Sequence, residues 1–334
     1  MGNEFSRSLM AAGLVLGMAG PASAQQFTMK LSLPTINDVS HEWMKAFKAS
    51  VEDRTKGKVK VEIYPSNQLG QIPATVDGVS MGTIEATFPA IGFFVGLEPR
   101  FQTLDTAGLF DSIEHGQKVF NDPEIRARIA TFGESKGVEP LLTYLNGHLM
   151  IVSTKPIRTI GDLKGMKIRT AGGTALHNDP LRSLGASPLS MPLGEVLPAL
   201  QNRAIDGATA IHAVFIPFKY YDVAKTATYV PGSYVVAAGL VNRRWMKSLG
   251  PELEGIVREE ARRHETLFST RGVEDNKRLG EAWTKNGGEN ITLALEDAKK
   301  YLEAVASVVP KVTASNPKFK EDYDAFVAAA KKYR

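Results

Sequence analysis

One arginine, Arg169, stands where the sequence is typical of a binding site. It belongs to Met166–Thr170, in which Met166, Ile168 and Thr170 share one face of a predicted strand and Lys167 and Arg169 the other. The strand runs into Gly172 and Gly173, and glycines allow a neighbouring chain or a ligand to approach the backbone closely. A guanidinium presents a planar fork that binds a carboxylate through two hydrogen bonds. The alternative interpretation is a solvent-exposed strand arginine.

The elements around this arginine predict a mostly parallel sheet. A short helix follows Asn178, an extended segment covers Ala186–Met191, a helix runs from Gly194 to Asn202, and a strand begins at Ala204. Strands that alternate with helices of this length are typical of α/β folds. In open sheets of this kind ligands bind beyond the carboxyl ends of the strands, where Arg169 is expected to lie.

The rest of the chain continues the α/β pattern. The predicted elements are a strand over Phe27–Ile36 broken at Pro34, a helix capped by Ser40, a strand over Lys58–Tyr64, a helix over Ile72–Met81 that leads to a strand over Ile84–Phe88, helices over Ile113–Phe120 and Pro123–Phe132, strands over Val138–Tyr144 and His148–Thr154 joined by a turn at Asn146-Gly147, a strand over Tyr229–Val241, and helices over Leu293–Val308 and Lys318–Lys331.

Pro251–Asn286 has one continuous helical pattern. At 1.5 Å per residue such a helix spans about 50 Å, which is longer than one domain. Gly255, Gly272 and Gly280 are the positions at which it is expected to bend. A helix of this length predicts a spine that ties two lobes together.

A faint internal repeat suggests the same organisation. Residues 76–88 (VDGVSMGTIEATF) resemble residues 197–209 (LPALQNRAIDGAT), and each stretch reads as a helix that leads into an inner strand. We predict two α/β lobes with a ligand cleft between them. Lobe I is predicted as 25–146 plus 235–274, and lobe II as 147–234 plus 275–334.

The amino terminus reads as an export signal. Arg7 is followed by the apolar stretch Leu9–Gly20 and by the cleavage pattern Ala22-Ser23-Ala24, so residues 1–24 are predicted to be a signal peptide. No other apolar run approaches the length of a membrane span, and the mature protein is expected to be exported without membrane insertion.

Composition excludes several classes of function. The 334 residues include no cysteine, which removes disulfides, thiolate chemistry and cysteine zinc sites. The net charge of +4 comes from interspersed acids and bases, so no nucleic-acid partner is expected.

Catalytic and cofactor motifs are also missing. Gly133-Glu134-Ser135-Lys136-Gly137 matches G-x-S-x-G, but it follows a helix and precedes a strand, whereas a nucleophile elbow needs the reverse. The six histidines lack zinc spacing, and no glycine-rich phosphate loop is present. The sequence therefore predicts no enzyme, no metal and no cofactor.

Several segments together resemble the solute-binding subunits of tripartite ATP-independent periplasmic (TRAP) transporters, the dicarboxylate-binding-protein family. They are Gly165–Arg169, Leu184–Pro188, Met191–Val196, Ala199–Gln201 with Ile205–Gly207, Thr55–Gly57, Gln68–Gly70 and Gly108–Phe110. The resemblance extends over essentially the whole mature chain. It implies two α/β lobes that close on a ligand, a long helix spanning both lobes, and a membrane permease as partner. It also implies that Arg169 pairs with the carboxylate of an organic acid.

Two departures from the family pattern concern the ligand. Many members carry a second arginine where this chain has Leu149, and an asparagine where it has Ala210. Both changes remove polar partners, so we predict a relatively apolar monocarboxylate with an aliphatic or aromatic body. The predicted ligand-binding residues are Arg169, Leu149, Met150, His148, Phe94, Ile91, Asn146, Gly172, Leu193, Ala210, His212, Phe215 and Tyr234.

The function predicted first is a monomeric periplasmic receptor that delivers an organic acid to a TRAP-type permease. One alternative is a sensor subunit that passes ligand occupancy to a signalling partner. Another, from a different class, is a periplasmic hydrolase of a carboxylated substrate, which would need a nucleophile and a base in the cleft.

Overall fold

The structure is a computed structural model that describes residues 27–334. The predicted signal peptide lies outside the described residues. The strands are β1 (Phe27–Ser32), β2 (Val59–Tyr64), β3 (Ala86–Thr87), β4 (Val138–Ser153), β5 (Lys167–Thr170), β6 (Ser187–Ser190), β7 (Gly207–Ala210), β8 (Thr226–Asn242) and β9 (Glu289–Ile291). The search over this part of the chain finds no helix with the length and apolarity that a membrane span requires.

The α-helices occupy most of the sequence between these strands. They are α1 (Val39–Arg54), α2 (Ile72–Met81), α3 (Ile113–Asn121), α4 (Pro123–Ile129), α5 (Ala175–Ser183), α6 (Leu193–Gln201), α7 (His212–Phe215), α8 (Arg243–Ser248), α9 (Gly250–Arg263), α10 (Thr266–Ser269), α11 (Arg271–Lys285), α12 (Leu295–Thr313) and α13 (Pro317–Tyr333). Short 3-10 helices cover Ile91–Phe94, Pro99–Asp105, Glu134–Lys136, Ile160–Leu163 and Tyr220–Asp222.

Two similar α/β units are joined by one long antiparallel strand pair. In residues 27–334 the sheet order is β2-β1-β3-β8-β4-β7-β5-β6, with β9 beside β8. The pair is β4 and β8, of 16 and 17 residues. The end of β8 holds β3, and the end of β4 holds β7. The assignment of whole segments to lobes I and II stays a prediction.

The two units have the same topology. The β1 unit (β1-α1-β2-α2-β3) and the β5 unit (β5-α5-β6-α6-β7) each place the first strand in the middle, parallel to both others. An acid before the third strand accepts a hydrogen bond from the middle strand in each unit. Glu85 Oε2 accepts from Lys30 N at 2.8 Å, and Asp206 Oδ2 from Lys167 N at 2.8 Å. The predicted repeat is therefore confirmed.

The predicted turn at Asn146-Gly147 is wrong. Both residues lie inside β4, which pairs with β8 on either side of them through a register shift between Leu145 and Gly147. An Asn-Gly pair is a strong local turn signal, but here the long partner strand β8 continues past it and the irregularity is absorbed as a bulge.

The helical run after β8 is interrupted twice. Helix α9 ends before His264-Glu265, and α10 ends before Thr270. The predicted helical extent is correct, but the prediction of one continuous helix is wrong. The chain breaks around Phe268, which is fully buried and stacks on Tyr144 with ring centroids 3.9 Å apart. The short helix between the two breaks is thus fixed to the core through this ring.

The cap of α1 also differs from the prediction. Asp38, rather than Ser40, precedes the first turn, and its Oδ1 accepts a hydrogen bond from His41 N at 3.0 Å. Aspartate and serine are comparable caps, so the sequence alone did not separate them. Asp38 is almost completely buried.

Candidate functional site

A cavity lies where the β1 unit faces the β5 unit. Its volume is about 50 Å³, and it opens partly to solvent. Its lining is Pro34, Thr35, Ile72, Phe88, Ala90, Phe93, Asn146, Arg169, Ala171, Leu193, Ala210, Ile211, Val214, Val235 and Ala237. Among these, polar side chains come from Thr35, Asn146 and Arg169, and the rest are apolar. A mostly apolar pocket with a few polar groups is typical of small-molecule sites.

Arg169 is held rigidly in the wall of this cavity. Its side chain is 1% exposed, whereas Lys167 on the same predicted face is exposed. Nε donates to the carbonyl of Met191 at 3.0 Å, and Nη1 donates to the carbonyl of Thr209 at 3.0 Å. The guanidinium carbon lies 5.9 Å from the centre of the Phe93 ring. The exposed-arginine interpretation is therefore wrong.

The charge of Arg169 has no counter-ion in residues 27–334. No carboxylate lies within ion-pair distance there, and Nη2 makes no hydrogen bond with the described residues. Burial lowers the pKa of Arg169 to about 10, so the group remains a cation at neutral pH. A buried charge without a partner is unfavourable, and an anion in the cavity would supply the missing partner.

Backbone contacts between the units close the cavity. Gly173 N donates to Gly92 O at 3.3 Å, and Gly194 N donates to the Gln71 side chain at 3.2 Å. A Cβ on Gly92 would lie 2.1 Å from the carbonyl oxygen of Ala171, and one on Gly172 would lie 2.1 Å from the carbonyl carbon of Gly92. Only glycine allows the two backbone segments, at Gly92 and at Ala171-Gly172, to approach each other this closely.

Six of the thirteen predicted site residues lie at the cavity or at its closing contact. Arg169, Asn146, Leu193 and Ala210 line the cavity. Ile91 and Gly172 belong to the two segments that touch across it. Thr35 and Phe93 also line the cavity. Phe93 is the direct neighbour of the predicted Phe94, whereas no local sequence signal pointed to Thr35.

The other seven residues do not line this cavity. Phe94, Met150 and Phe215 are fully buried in the core, where Phe94 packs on Phe101 and Phe215 packs on Trp283. His212 Nε2 is 2.9 Å from Asn290 Oδ1. His148 is exposed, with its ring 4.7 Å from that of Tyr234.

Leu149 and Tyr234 line a separate, smaller cavity together with His177 and Tyr301. The reason for the position of Leu149 is strand geometry. Leu149 lies at the register shift between His148 and Met150, where the regular pairing of β4 with β8 is interrupted.

A family model and known proteins resemble this chain. Residues 33–316 match the DctP model, described as bacterial extracellular solute-binding protein, family 7. The 2,3-diketo-L-gulonate-binding periplasmic protein YiaO of Escherichia coli K12 is 27% identical over 304 residues, covering 90% of this chain and 91% of YiaO. The C4-dicarboxylate-binding periplasmic protein DctP of Rhodobacter capsulatus is 27% identical over 241 residues, covering 72% of each.

Solved structures show the same two-lobed fold. A TRAP periplasmic solute-binding protein of Haemophilus influenzae RdAW, solved with L-gulonate, superposes with a TM-score of 0.85 at 23% identity, covering 91% of this chain and 99% of that one. Another from Shewanella oneidensis, solved with succinate, gives a TM-score of 0.82 at 21% identity, with coverages of 91% and 99%. With the fold, the cavity and the family match in agreement, this chain belongs to the DctP family of bacterial extracellular solute-binding proteins, the solute-binding proteins of TRAP transporters.

Proposed function

We propose that this protein is a periplasmic receptor that captures an organic monocarboxylate and delivers it to a TRAP-type permease. The observation that carries the proposal is Arg169, a buried cation in the cavity wall that has no acidic partner in residues 27–334. A ligand carboxylate would take the free Nη2 and complete the pair. A charge-assisted bond of this kind is strong because the cavity is apolar.

The composition of the cavity supports a ligand with a largely apolar body. Twelve of the fifteen lining residues have apolar side chains. Of the two departures from the family pattern, Ala210 lies in the cavity and Leu149 does not, so this part of the proposal rests on Ala210 and on the lining. YiaO and DctP are named for a sugar acid and for C4-dicarboxylates, so the carboxylate is the feature that we carry over to this chain.

Capture would be completed by closure of the two units on the ligand. The contacts of Gly92 with Gly172 and Gly173 belong to the closed arrangement. A ligand that bridges the units favours this arrangement by its higher affinity for it. We propose the boundary between the lobes at residues 146–147 and 234–235.

Binding rather than chemistry also fits the residues of the cavity. Histidine, cysteine and serine are absent from its lining, so it lacks the serine or cysteine nucleophile with a histidine base that many hydrolases use. The search of residues 27–334 finds no acid and histidine cluster that would hold a metal ion. We therefore propose that the protein is not an enzyme. We also propose that it acts as a monomer.

A thermal-shift screen of the mature protein tests this function. Wild type, Arg169→Ala and the control Arg244→Ala are screened against a panel of organic acids. Arg244 is exposed on α8 and makes no ion pair with the described residues. A ligand that binds only the folded state adds about 2.7 kcal/mol at a hundredfold excess over its Kd.

We expect one class of acid to raise the Tm of wild type and of Arg244→Ala but not of Arg169→Ala. A shift that survives Arg169→Ala, or no shift with any acid, would overturn the proposed function.

A further inference from the structure

We propose that Gln71 and Gln102 strengthen binding of the acid by capping the first turns of α6 and α5 across the cavity when the two units close. The inference rests on the proposed function, because it takes closure on a ligand as given. The lining that the described residues form includes neither glutamine, so each acts on the ligand indirectly, as a positioning residue.

The helices α5 and α6 begin beside the closing contact without caps of their own. The first N–H groups of an α-helix have no partner within the helix, and a side chain just before the helix usually accepts from one of them. Ser112 does so for α3, where its Oγ accepts from His115 N at 3.0 Å. In residues 27–334 the Thr174 side chain accepts no such bond from α5, and Pro192 before α6 has no side-chain acceptor.

The missing caps come from the opposite side of the cavity. Gln71 Oε1 accepts from Gly194 N at 3.2 Å, and Gln102 Oε1 accepts from Ala175 N at 3.3 Å. Gly194 is the second residue of α6, and Ala175 is the first residue of α5. Both glutamines belong to predicted lobe I and both helices to predicted lobe II. With these lobe boundaries, each cap forms only when the two lobes are in contact.

Gln71 serves the opposite helix instead of its own. It directly precedes α2, but within the described chain its side chain makes no cap hydrogen bond to α2. A Cβ on Gly194 would lie 2.5 Å from Gln71 Nε2, so the glycine leaves room for this amide at the start of α6. Both segments therefore fit a cap that is formed between the units.

The start of α5 shows the same exchange. Thr174, which is 1% exposed, donates its hydroxyl to Asp105 Oδ2 at 2.8 Å instead of capping its own helix. Asp105 lies in the same 3-10 helix, Pro99–Asp105, as Gln102. The dipole of α5 favours a carboxylate at this end of the helix. Two acceptors from one segment therefore hold the start of α5.

Closure links these caps to affinity. When the units separate, water replaces each glutamine oxygen at the helix N–H groups. The net gain from a cap is modest, but it belongs to the closed arrangement alone, so it shifts the equilibrium toward the form that retains the ligand. Gln102 is 7% exposed whereas Gln71 is exposed, so water competes less with the Gln102 cap. The larger contribution is therefore expected from Gln102.

The test measures binding of monocarboxylates to wild type, Gln71→Met, Gln102→Met and Arg169→Ala. The probes are the straight-chain alkanoates from acetate to octanoate, benzoate and phenylacetate. Methionine keeps the length of glutamine and removes the amide oxygen. Gln201→Met is the control, because Gln201 is an exposed glutamine at the last residue of α6. Kd is measured by calorimetry and koff by stopped-flow tryptophan fluorescence.

For the acid that binds most tightly, we expect Kd to rise about threefold in Gln71→Met and about five- to tenfold in Gln102→Met, as for the loss of a helix cap. The rise should lie in koff, with kon within about twofold of wild type, because the caps form after the ligand has entered. Gln201→Met should bind as wild type does.

A cap supplied next to α6 separates capping from a general structural role. Pro192→Ser places a hydroxyl before α6, and this hydroxyl can cap the helix in the open and the closed arrangement alike. In this background Gln71→Met should raise Kd by less than about 1.5-fold, whereas Gln102→Met should keep its full effect.

Unchanged Kd values in both glutamine variants, with binding still lost in Arg169→Ala, overturn the inference and leave the proposed function intact. A loss in Gln71→Met that Pro192→Ser does not reduce, or one that lies in kon, also overturns it. If no acid of the panel binds in a way that depends on Arg169, the proposed function fails and the inference fails with it.

Discussion

The carboxyl ends of β1 and β5 occupy equivalent places in two units of the same topology. They differ in one side chain, which is a serine in β1 and an arginine in β5. The register pairs Ser32 with Thr87 in the β1 unit and Arg169 with Ala208 in the β5 unit. Thr87 and Ala208 each lie two residues after the acid that accepts from the middle strand. Arg169 therefore stands where the β1 unit has Ser32.

The difference shows how a repeated scaffold acquires a binding function. Both residues are buried, with exposed fractions of 2% for Ser32 and 1% for Arg169. The surrounding protein therefore encloses the serine and the arginine to the same extent. A serine there leaves a neutral wall. An arginine there becomes a buried cation, which carries the free energy for binding an anion.

Substitution of Arg169 and of its counterpart Ser32 is expected to give the largest difference in ligand affinity. Arg169→Gln should weaken binding of the acid by at least about a hundredfold, or about 3 kcal/mol, because the charge-assisted bond is lost. Ser32→Ala at the equivalent place should change Kd by less than about threefold. Calorimetry on both variants measures the difference, and equal losses would show that the two ends do not differ in function.

The closing contact between the units should give an effect of about tenfold. Gly92→Ala places a Cβ 2.1 Å from the Ala171 carbonyl oxygen of the other unit. The closed arrangement is then opposed without loss of any group that touches the ligand, so Kd should rise by about tenfold. Gly96→Ala is the control, because a Cβ there meets nothing within 4 Å. An unchanged Kd for Gly92→Ala would mean that this contact is not needed for capture.

The titration of Arg169 predicts how binding depends on pH. The pKa of Arg169 in the free protein is lowered to about 10 by burial. A bound carboxylate favours the cation, so affinity should be constant up to about pH 9 and fall by up to about tenfold per pH unit above 10. Calorimetry from pH 7 to 10.5, with circular dichroism to show that the protein stays folded, measures this. Affinity that rises over this range would exclude the cation as the anchor.

Substitution of the acids that accept hydrogen bonds from the middle strands should have the smallest effects, and these concern stability. Glu85→Ala and Asp206→Ala each leave a strand N–H without its charged acceptor. We expect a loss of about 2 kcal/mol in the free energy of unfolding for Glu85, which is better buried, and about 1 kcal/mol for Asp206. Urea unfolding measures both. A loss in the free energy of unfolding for one variant and none for the other would contradict the equivalence of the two units.

Local patterns in the sequence were sufficient for most of the strands and helices, and they placed Arg169 in the strand where the structure has it. Helix α2 was predicted with the bounds that the structure has, because apolar spacing and a glycine after Met81 define both ends. Arg169 was identified from a strand end beside glycines. These signals come from residues that are close together in the sequence. The internal repeat added the prediction that the chain contains two similar units.

Long-range contacts explain what the sequence left out. Leu149 was expected in the pocket from its place in the family pattern, but it lies at a register shift of β4 and lines another cavity. Thr35 gave no signal, because it shares a cavity with Arg169 only once the two units face each other. The breaks on either side of α10 were also missed, because no proline or glycine stands at His264-Glu265 or at Thr270.

The measurement that tests the central claim most directly is a crystal structure with the acid that gives the largest thermal shift. The account predicts the ligand carboxylate within about 3.2 Å of Arg169 Nη2, in the cavity between the β1 and β5 units. A carboxylate that lies elsewhere in the cavity, with Nη2 of Arg169 still unpaired, would contradict it.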